Sequence, residues 1–190
     1  MRALVLLSLL GLLCVGRLAP ALAEKADRDK PMSIEADLLQ HDDLKQVSVF
    51  TGKVVATKGS IVMRGDRIEV RQDPQGYQYG LILPEPGKRA FYRQKREGLN
   101  EFMEGEAERI EYDGRADRVT LMGRAELRRY RGTVLNDEMS GQLISYDNLS
   151  DKFRVDGQPA GESAKVPSAA APASRVRAVL TPRGTSGDAK

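Results

Sequence analysis

The chain has 190 residues, a formal net charge of +3 and a pI near 9.0, but no Trp and only 5% aromatic residues with which to stack bases. A basic chain so poor in aromatics does not read as a nucleic-acid binder. One histidine and one cysteine supply too few ligands for a typical zinc site and too few bases for a Ser-His-Asp set.

Residues 1–23 read as a signal peptide. Arg2 precedes an apolar run from Leu4 to Val15, and Ala21-Leu22-Ala23 is the small-x-small pattern that a signal peptidase reads. Cleavage is expected before Glu24. As a membrane anchor the run falls short of the roughly 20 apolar residues a span needs, and Arg17 interrupts it. A lipoprotein reading through Cys14 is disfavoured by the bulky Leu13 before it. Cleavage removes Cys14, so the mature protein has neither disulfide nor thiol. It also removes Arg2 and Arg17, which lowers the net charge to +1. Beyond Gly157 stand Lys165, Arg175, Arg177, Arg183 and Lys190 against Glu162 and Asp188, so the part before them carries a charge of −2. The basic excess lies outside the predicted domain.

Residues 24–30 form a charged leader, expected to be mobile. Pro31 opens the folded part, 31–157, because a missing N–H is tolerated at the start of a strand. Met32, Ile34, Ala36 and Leu38 then fall on one side and Ser33, Glu35 and Asp37 on the other, a period-two strand. Further strands are predicted at 46–51, 53–57, 60–64, 66–72, 77–83, 90–94, 100–103, 106–112, 118–122, 125–130, 133–136, 143–146 and 153–156. Gly52, Gly59 and Gly65 stand where the chain turns, kinks or bulges. Asp73-Pro74-Gln75-Gly76 and Pro84-Glu85-Pro86-Gly87 are turns. Residues 101–111 also fit a helix by charge, but Gly105 and the alternation at Ile110 and Tyr112 favour a strand. From 158 to 190 the chain is Ala, Pro, Ser, Gly and scattered basics, too polar to offset its ordering entropy, and reads as disordered. Within it, 176–180 is the one apolar island, able to pair weakly as a strand.

The β grammar repeats. Glu35-Ala36-Asp37-Leu38-Leu39-Gln40-His41-Asp42 matches Glu106-Ala107-Glu108-Arg109-Ile110-Glu111-Tyr112-Asp113, and Gly52-Lys53 matches Gly123-Arg124 at the same spacing. A shorter form recurs at 65–70 and 141–147. It sets Leu39/His41, Ile68/Val70, Ile110/Tyr112 and Ile144/Tyr146 two apart, each pair on one sheet face. Four such units imply a stacked architecture with open ends, where edge strands accept a strand from another molecule.

These residues carry a family resemblance. Pro31-Met32-Ser33-Ile34-Glu35-Ala36-Asp37, the run from Phe50 to Gly59, Asp66-Arg67-Ile68, Lys88-Arg89-Ala90-Phe91-Tyr92 and the run from Gly105 to Tyr112 resemble the LptA-type, OstA-like family of periplasmic lipopolysaccharide-transport proteins. The likeness covers about Lys30 to Gly157. It implies an all-β, open twisted jelly roll of antiparallel strands with internal repeats. It further implies a periplasmic bridge of domains joined end to end, from an inner-membrane exporter component of the same fold to an outer-membrane translocon. Lipid A acyl chains are expected in the apolar interior. The cleavable leader and the lack of an outer-membrane barrel favour the soluble middle piece; the long Ala/Pro-rich tail departs from the family.

Such a carrier needs an apolar channel and no catalytic group, cofactor or metal, since burial yields about 0.8 kcal/mol per CH₂. Parity assigns Met32, Ile34, Ile68, Val70, Tyr92, Ile110, Tyr112, Ile144 and Tyr146 to its lining, unless these are plain core. Arg64, Arg67, Lys88, Arg89 and Arg93 are candidates to meet lipid A phosphates at the rim, or else form a solvated face. His41, matching Tyr112, is expected to pack at a strand end. End-to-end joining would use an N-terminal edge at 32–38 and a C-terminal edge near 143–155. Two other readings remain: a module of the same fold for another envelope lipid or scaffold, and a glycan-acting enzyme using paired carboxylates.

Overall fold

The computed structural model describes residues 27–96, 99–158 and 175–181; the predicted signal peptide and most of the tail lie outside them. Every regular element among the described residues is a strand: β1 (Met32–Glu35), β2 (Leu38–Asp42), β3 (Val47–Lys58), β4 (Ile61–Gln72), β5 (Gln78–Leu83), β6 (Ala90–Lys95), β7 (Glu101–Ala107), β8 (Arg109–Asp113), β9 (Arg118–Arg131), β10 (Val134–Asp147), β11 (Lys152–Asp156) and β12 (Arg177–Leu180). All pairings are antiparallel.

The long strands β3, β4, β9 and β10 pass through both layers of a jelly roll. One layer runs β1, β3, β4, β6, β7, β9, β10, β12, using residues 54–58, 61–65, 125–131 and 134–141 of the long strands. The other runs β2, β3, β4, β5, β8, β9, β10, β11, using 47–51, 67–72, 118–122 and 143–147. The strands predicted separately on either side of Gly52, Gly65, Gly123 and Gly141 are therefore single strands that bend.

The bends are bulges. Gly52-Lys53 opposes one residue of β4 between Thr51↔Arg67 and Val54↔Gly65. Gly123-Arg124 opposes one residue of β10 between Gly141↔Ala125 and Leu143↔Met122. Both residues of each bulge are left-handed, Gly52 at φ 83° with Lys53 at 49°, and Gly123 at φ 74° with Arg124 at 43°. Extra residues in one strand turn it sharply, which carries the ladder from one layer into the next.

The structure thus shows β1–β6 and β7–β12 to be two copies of one pattern. In each, the first two strands pair with the third, and the fifth and sixth pair with the fourth. The four matching units expected from sequence are two pairs within this doubled repeat rather than four stacked layers. The copies join where β5 meets β8 and β6 meets β7.

The core lies between the layers. Met63, Tyr92 and Leu127 of one layer pack in the same buried cluster as Ile68, Ile110 and Leu121 of the other. Alternate residues face out and form ion pairs instead, among them Arg89 with Glu106 and Glu126, and Arg93 with Glu104. In the described part of the leader, Asp27 accepts from the Ser60 amide (2.6 Å), the Ser60 hydroxyl (2.6 Å) and Gln94 Nε2 (3.1 Å), so 27–30 forms a turn tied to the first layer. Within the tail, the apolar island at 176–180 forms β12, Arg177–Leu180, paired with β10.

Candidate functional site

Interior space remains at the N-terminal end, where, among the described residues, no further strand lies beyond β1 and β2. A groove of about 230 Å³ opens there between the layers. Met32 and Ile34 of β1, Phe50 of β3 and Val70 of β4 make its apolar floor, each partly buried against the core. His41, Gln46, Ser48, Gln72 and Gln78 form a polar rim. Rim groups have partners: His41 Nδ1 lies 2.9 Å from Ser48 Oγ, Gln72 Nε2 donates to Gly76 O (3.3 Å), and Lys58 Nζ donates to Gln78 Oε1 (3.3 Å). Burial pushes the Lys58 ammonium below its ordinary pKa, against the opposing pull of Asp29, Asp117 and Asp27. An apolar floor with satisfied polar walls suits a hydrocarbon chain that must not be held by ion pairs.

The nine residues predicted to line a channel all face the interior, but they divide. Met32, Ile34 and Val70 line the groove. Ile68, Tyr92, Ile110, Tyr112, Ile144 and Tyr146 are buried in the closed interlayer core. All three tyrosines among them carry raised phenol pKa values, and burial pushes that of Tyr92 well up. Burial raises the pKa of Tyr112, whose hydroxyl has no hydrogen-bond partner in this structure. Burial and then the bond to Asp151 (2.8 Å) raise that of Tyr146.

His41 is not a packing residue. It aligns with Tyr112, but its side chain is 45% exposed at the rim, because among the described residues β2 has no neighbour like the β5 that covers β8. The five cations offered as rim candidates, or else as a solvated face, take the second of those places. Arg64 lies 3.9 Å from the Phe91 ring centroid, Arg67 pairs with Glu69, Lys88 with Glu85, Arg89 with Glu106, and Arg93 with Glu104. They are spent in outward contacts. Phe50 and the rim amides were missed from sequence; the signal for Phe50 was available, since it alternates in step with Ser48.

Polar ties cross between the layers along one side. Asp27 holds the first layer at Ser60 and Gln94, while Arg28 donates to Tyr77 Oη and Arg115 O of the second (3.4 Å each). Further along, Arg96 bonds both Glu101 and Asp151. Among the described residues, no group of three or more His, Cys, Asp or Glu side chains is placed to hold a metal ion.

Both ends of the molecule expose apolar strands. Leu38 and Leu39 of β2 are each 54% exposed, and Phe153 of β11 and Leu180 of β12 are 44% and 65% exposed. The N-terminal edge expected at 32–38 is divided between β1 and β2 at Ala36-Asp37, where the Asp37 amide donates to Thr51 O (3.1 Å). The C-terminal edge expected near 143–155 is found in one layer, where β11 covers residues 143–147 of β10; in the other layer β12, which lies outside that range, covers residues 137–140.

Comparison with known proteins adds to this geometry. A family model described as LptA/(LptD N-terminal domain) LPS transport protein matches residues 33–152. The lipopolysaccharide export system protein LptH of Pseudomonas aeruginosa is 31% identical over 127 residues, which cover 67% of this chain and 69% of that protein. The export system protein LptA of Escherichia coli K12 is 33% identical over 122 residues, 64% of each chain. A crystal structure of LptH from P. aeruginosa, described as the LptA homologous periplasmic component of the conserved lipopolysaccharide transport device, superposes with a TM-score of 0.67 at 24% identity. It covers 83% of this chain and 99% of that one, and so supports the fold.

Proposed function

We propose that this chain, which belongs to the LptA and LptD N-terminal-domain family of lipopolysaccharide transport proteins, carries lipopolysaccharide across the periplasm as a soluble section of a bridge. Residues 1–23 direct export and are removed, and 31–157 form the carrier domain. The acyl chains of lipid A lie between the two layers, and the sugars and phosphates stay outside. One observation supports this most: the interior is apolar from layer to layer and opens at the N-terminal end onto Met32, Ile34, Phe50 and Val70. Such a site needs no catalytic group, because transfer of acyl chains from water is itself favourable.

The groove as it stands is smaller than the roughly 300–1,000 Å³ of sites that hold a whole small-molecule ligand. It admits part of a chain. Passage of a multi-chain lipid requires the layers to part, and the polar ties from Asp27, Arg28 and Arg96 lie on the side where parting would occur. Domains join end to end through exposed edge strands, one end meeting the inner-membrane exporter component and the other a further copy or the outer-membrane translocon.

Depletion in the cell of origin tests the reading. Newly made lipopolysaccharide is expected to accumulate at the inner membrane; normal surface delivery contradicts it. A carrier for another envelope lipid would instead bind phospholipid as well as lipopolysaccharide.

A further inference from the structure

Two register rows on the inner face of the second layer differ in chemistry. The row nearer the bends runs from Leu39 through Ile68, Ile110 and Ile144 to Val155, and it is apolar throughout. The next row on that face, two residues along each strand, runs from His41 through Val70 and Tyr112 to Tyr146. The repeated pairs Leu39/His41, Ile110/Tyr112 and Ile144/Tyr146 thus set an aliphatic side chain towards the bends and a hydrogen-bonding one away from them.

The bends close one side of the interior with backbone, since β3, β4, β9 and β10 pass from layer to layer there. On the opposite side no described strand crosses. That seam is bounded by turns, 59–60 and 132–133 in the first layer and 114–117 and 148–151 in the second. Side-chain ties from Asp27, Arg28 and Arg96 hold it shut. It is therefore the side on which the layers can part, and the side through which a lipid keeps its sugars and phosphates in water. Acyl chains so placed point their tails at the apolar row. The carbonyl at which each acyl chain begins, a hydrogen-bond acceptor, then lies level with the second row.

One donor in that zone has nothing to bond. Tyr92 donates to Gln94, and Tyr146 to Asp151 (2.8 Å). Tyr112 is 2% exposed, and its hydroxyl is without a partner among the described residues. The other such atom, Arg129 Nε, belongs to a guanidinium already paired with Asp137. The Tyr112 ring reaches the seam: a Cβ on Gly114, in the 114–117 turn, would stand 3.4 Å from its Cε1. Burial, and then the charges of Asp117 and Asp27, keep the phenol protonated and so a donor. A buried donor left unpaired is costly, and an acceptor brought by a ligand removes that cost. We infer that Tyr112 is a specificity-determining residue, whose phenol donates a hydrogen bond to the carbonyl of an acyl chain seated between the layers. The inference rests on the carrier function proposed above, and adds that the interior distinguishes an acyl chain from a plain alkyl chain.

Two probes test it with the full mature chain: a synthetic acylated sugar phosphate, and its ether counterpart in which each ester C=O is replaced by CH₂. Calorimetric titration is expected to give about three- to tenfold tighter binding of the ester. Tyr112→Phe is expected to erase that difference by weakening binding of the ester alone. With the ester carbonyls isotope-labelled, a component of their infrared stretch should lie at lower frequency in the wild-type complex and be lost in Tyr112→Phe. The lipid-free Tyr112→Phe chain should have an unchanged or higher urea midpoint, since no bond is lost. A lower midpoint would show the phenol to be already satisfied and would overturn the inference. Equal affinity of the wild type for the two probes, or an ester preference that survives in Tyr112→Phe, would overturn it too. Binding of neither probe by the wild type would instead overturn the carrier function on which it rests.

Discussion

Gly123→Ala probes the bulge on which the two-layer architecture turns. Gly123 has φ +74°, a left-handed conformation that costs an L-residue roughly 1–2 kcal/mol. A Cβ there would also stand 2.4 Å from Glu108 Oε2 and 3.1 Å from Glu108 Cβ. Glu108 must then move and give up its 2.6 Å pair with Arg124, which is about half exposed and so worth at most about 1 kcal/mol. Together the terms predict a loss of about 1.5–3 kcal/mol. At about 2–4 °C per kcal/mol, the melting temperature should fall by about 3–12 °C. Gly87→Ala is the internal control: φ is +80°, but nothing lies within 4 Å of the added Cβ, so only the conformational cost applies. Urea unfolding of both variants separates the terms. A loss under about 0.5 kcal/mol for Gly123→Ala, or a larger loss for Gly87→Ala, would refute the bulge account.

Ile110→Ala, at a fully buried position between the layers, is expected to cost about 2–5 kcal/mol in urea unfolding; under about 1 kcal/mol would place it outside a packed core. Val70→Asp puts a charge on the half-buried groove floor, and should weaken lipopolysaccharide binding by about tenfold or more while the domain stays folded. Acid titration tests the outer ion-pair face. The hydrogen bond from Arg89 holds the Glu126 carboxyl below its ordinary 4.5, so that pair stabilises the fold above this value and its contribution is lost as pH falls below it. The urea midpoint should therefore drop from about pH 5 towards pH 3, and less steeply in Glu126→Gln; identical profiles would contradict the assignment.

Period-two alternation made the interior residues legible, because parity alone decides which face a strand residue takes. All nine predicted lining residues face inward for this reason. Parity does not say what stands opposite. Ile110 and Leu39 are equivalent by pairing, yet one is buried and the other 54% exposed, since among the described residues β8 has a neighbour on its far side and β2 has none. The same gap separates Tyr112 from His41. The Gly52 and Gly123 match located both bends, but a glycine read as a strand break looks the same as one read as a bulge, so β3 and β9 were divided. Parity also decides between the two readings of the cations: Met63 and Tyr92 face inward, so Arg64 and Arg93 face out, away from the groove. The pinned turn at Asp27 was invisible because its partners, Ser60 and Gln94, are remote in sequence and act through side chains.

The central claim is that acyl chains travel between the layers, entering at the floor beside β1. Site-specific photo-crosslinking during transport tests it most directly, using neighbouring residues that alternation sends to opposite faces. A crosslinker at Ile34, on the groove floor, is expected to capture lipopolysaccharide, and one at Glu35, on the exposed side of the same strand, is not. Capture from Glu35 alone would contradict the account.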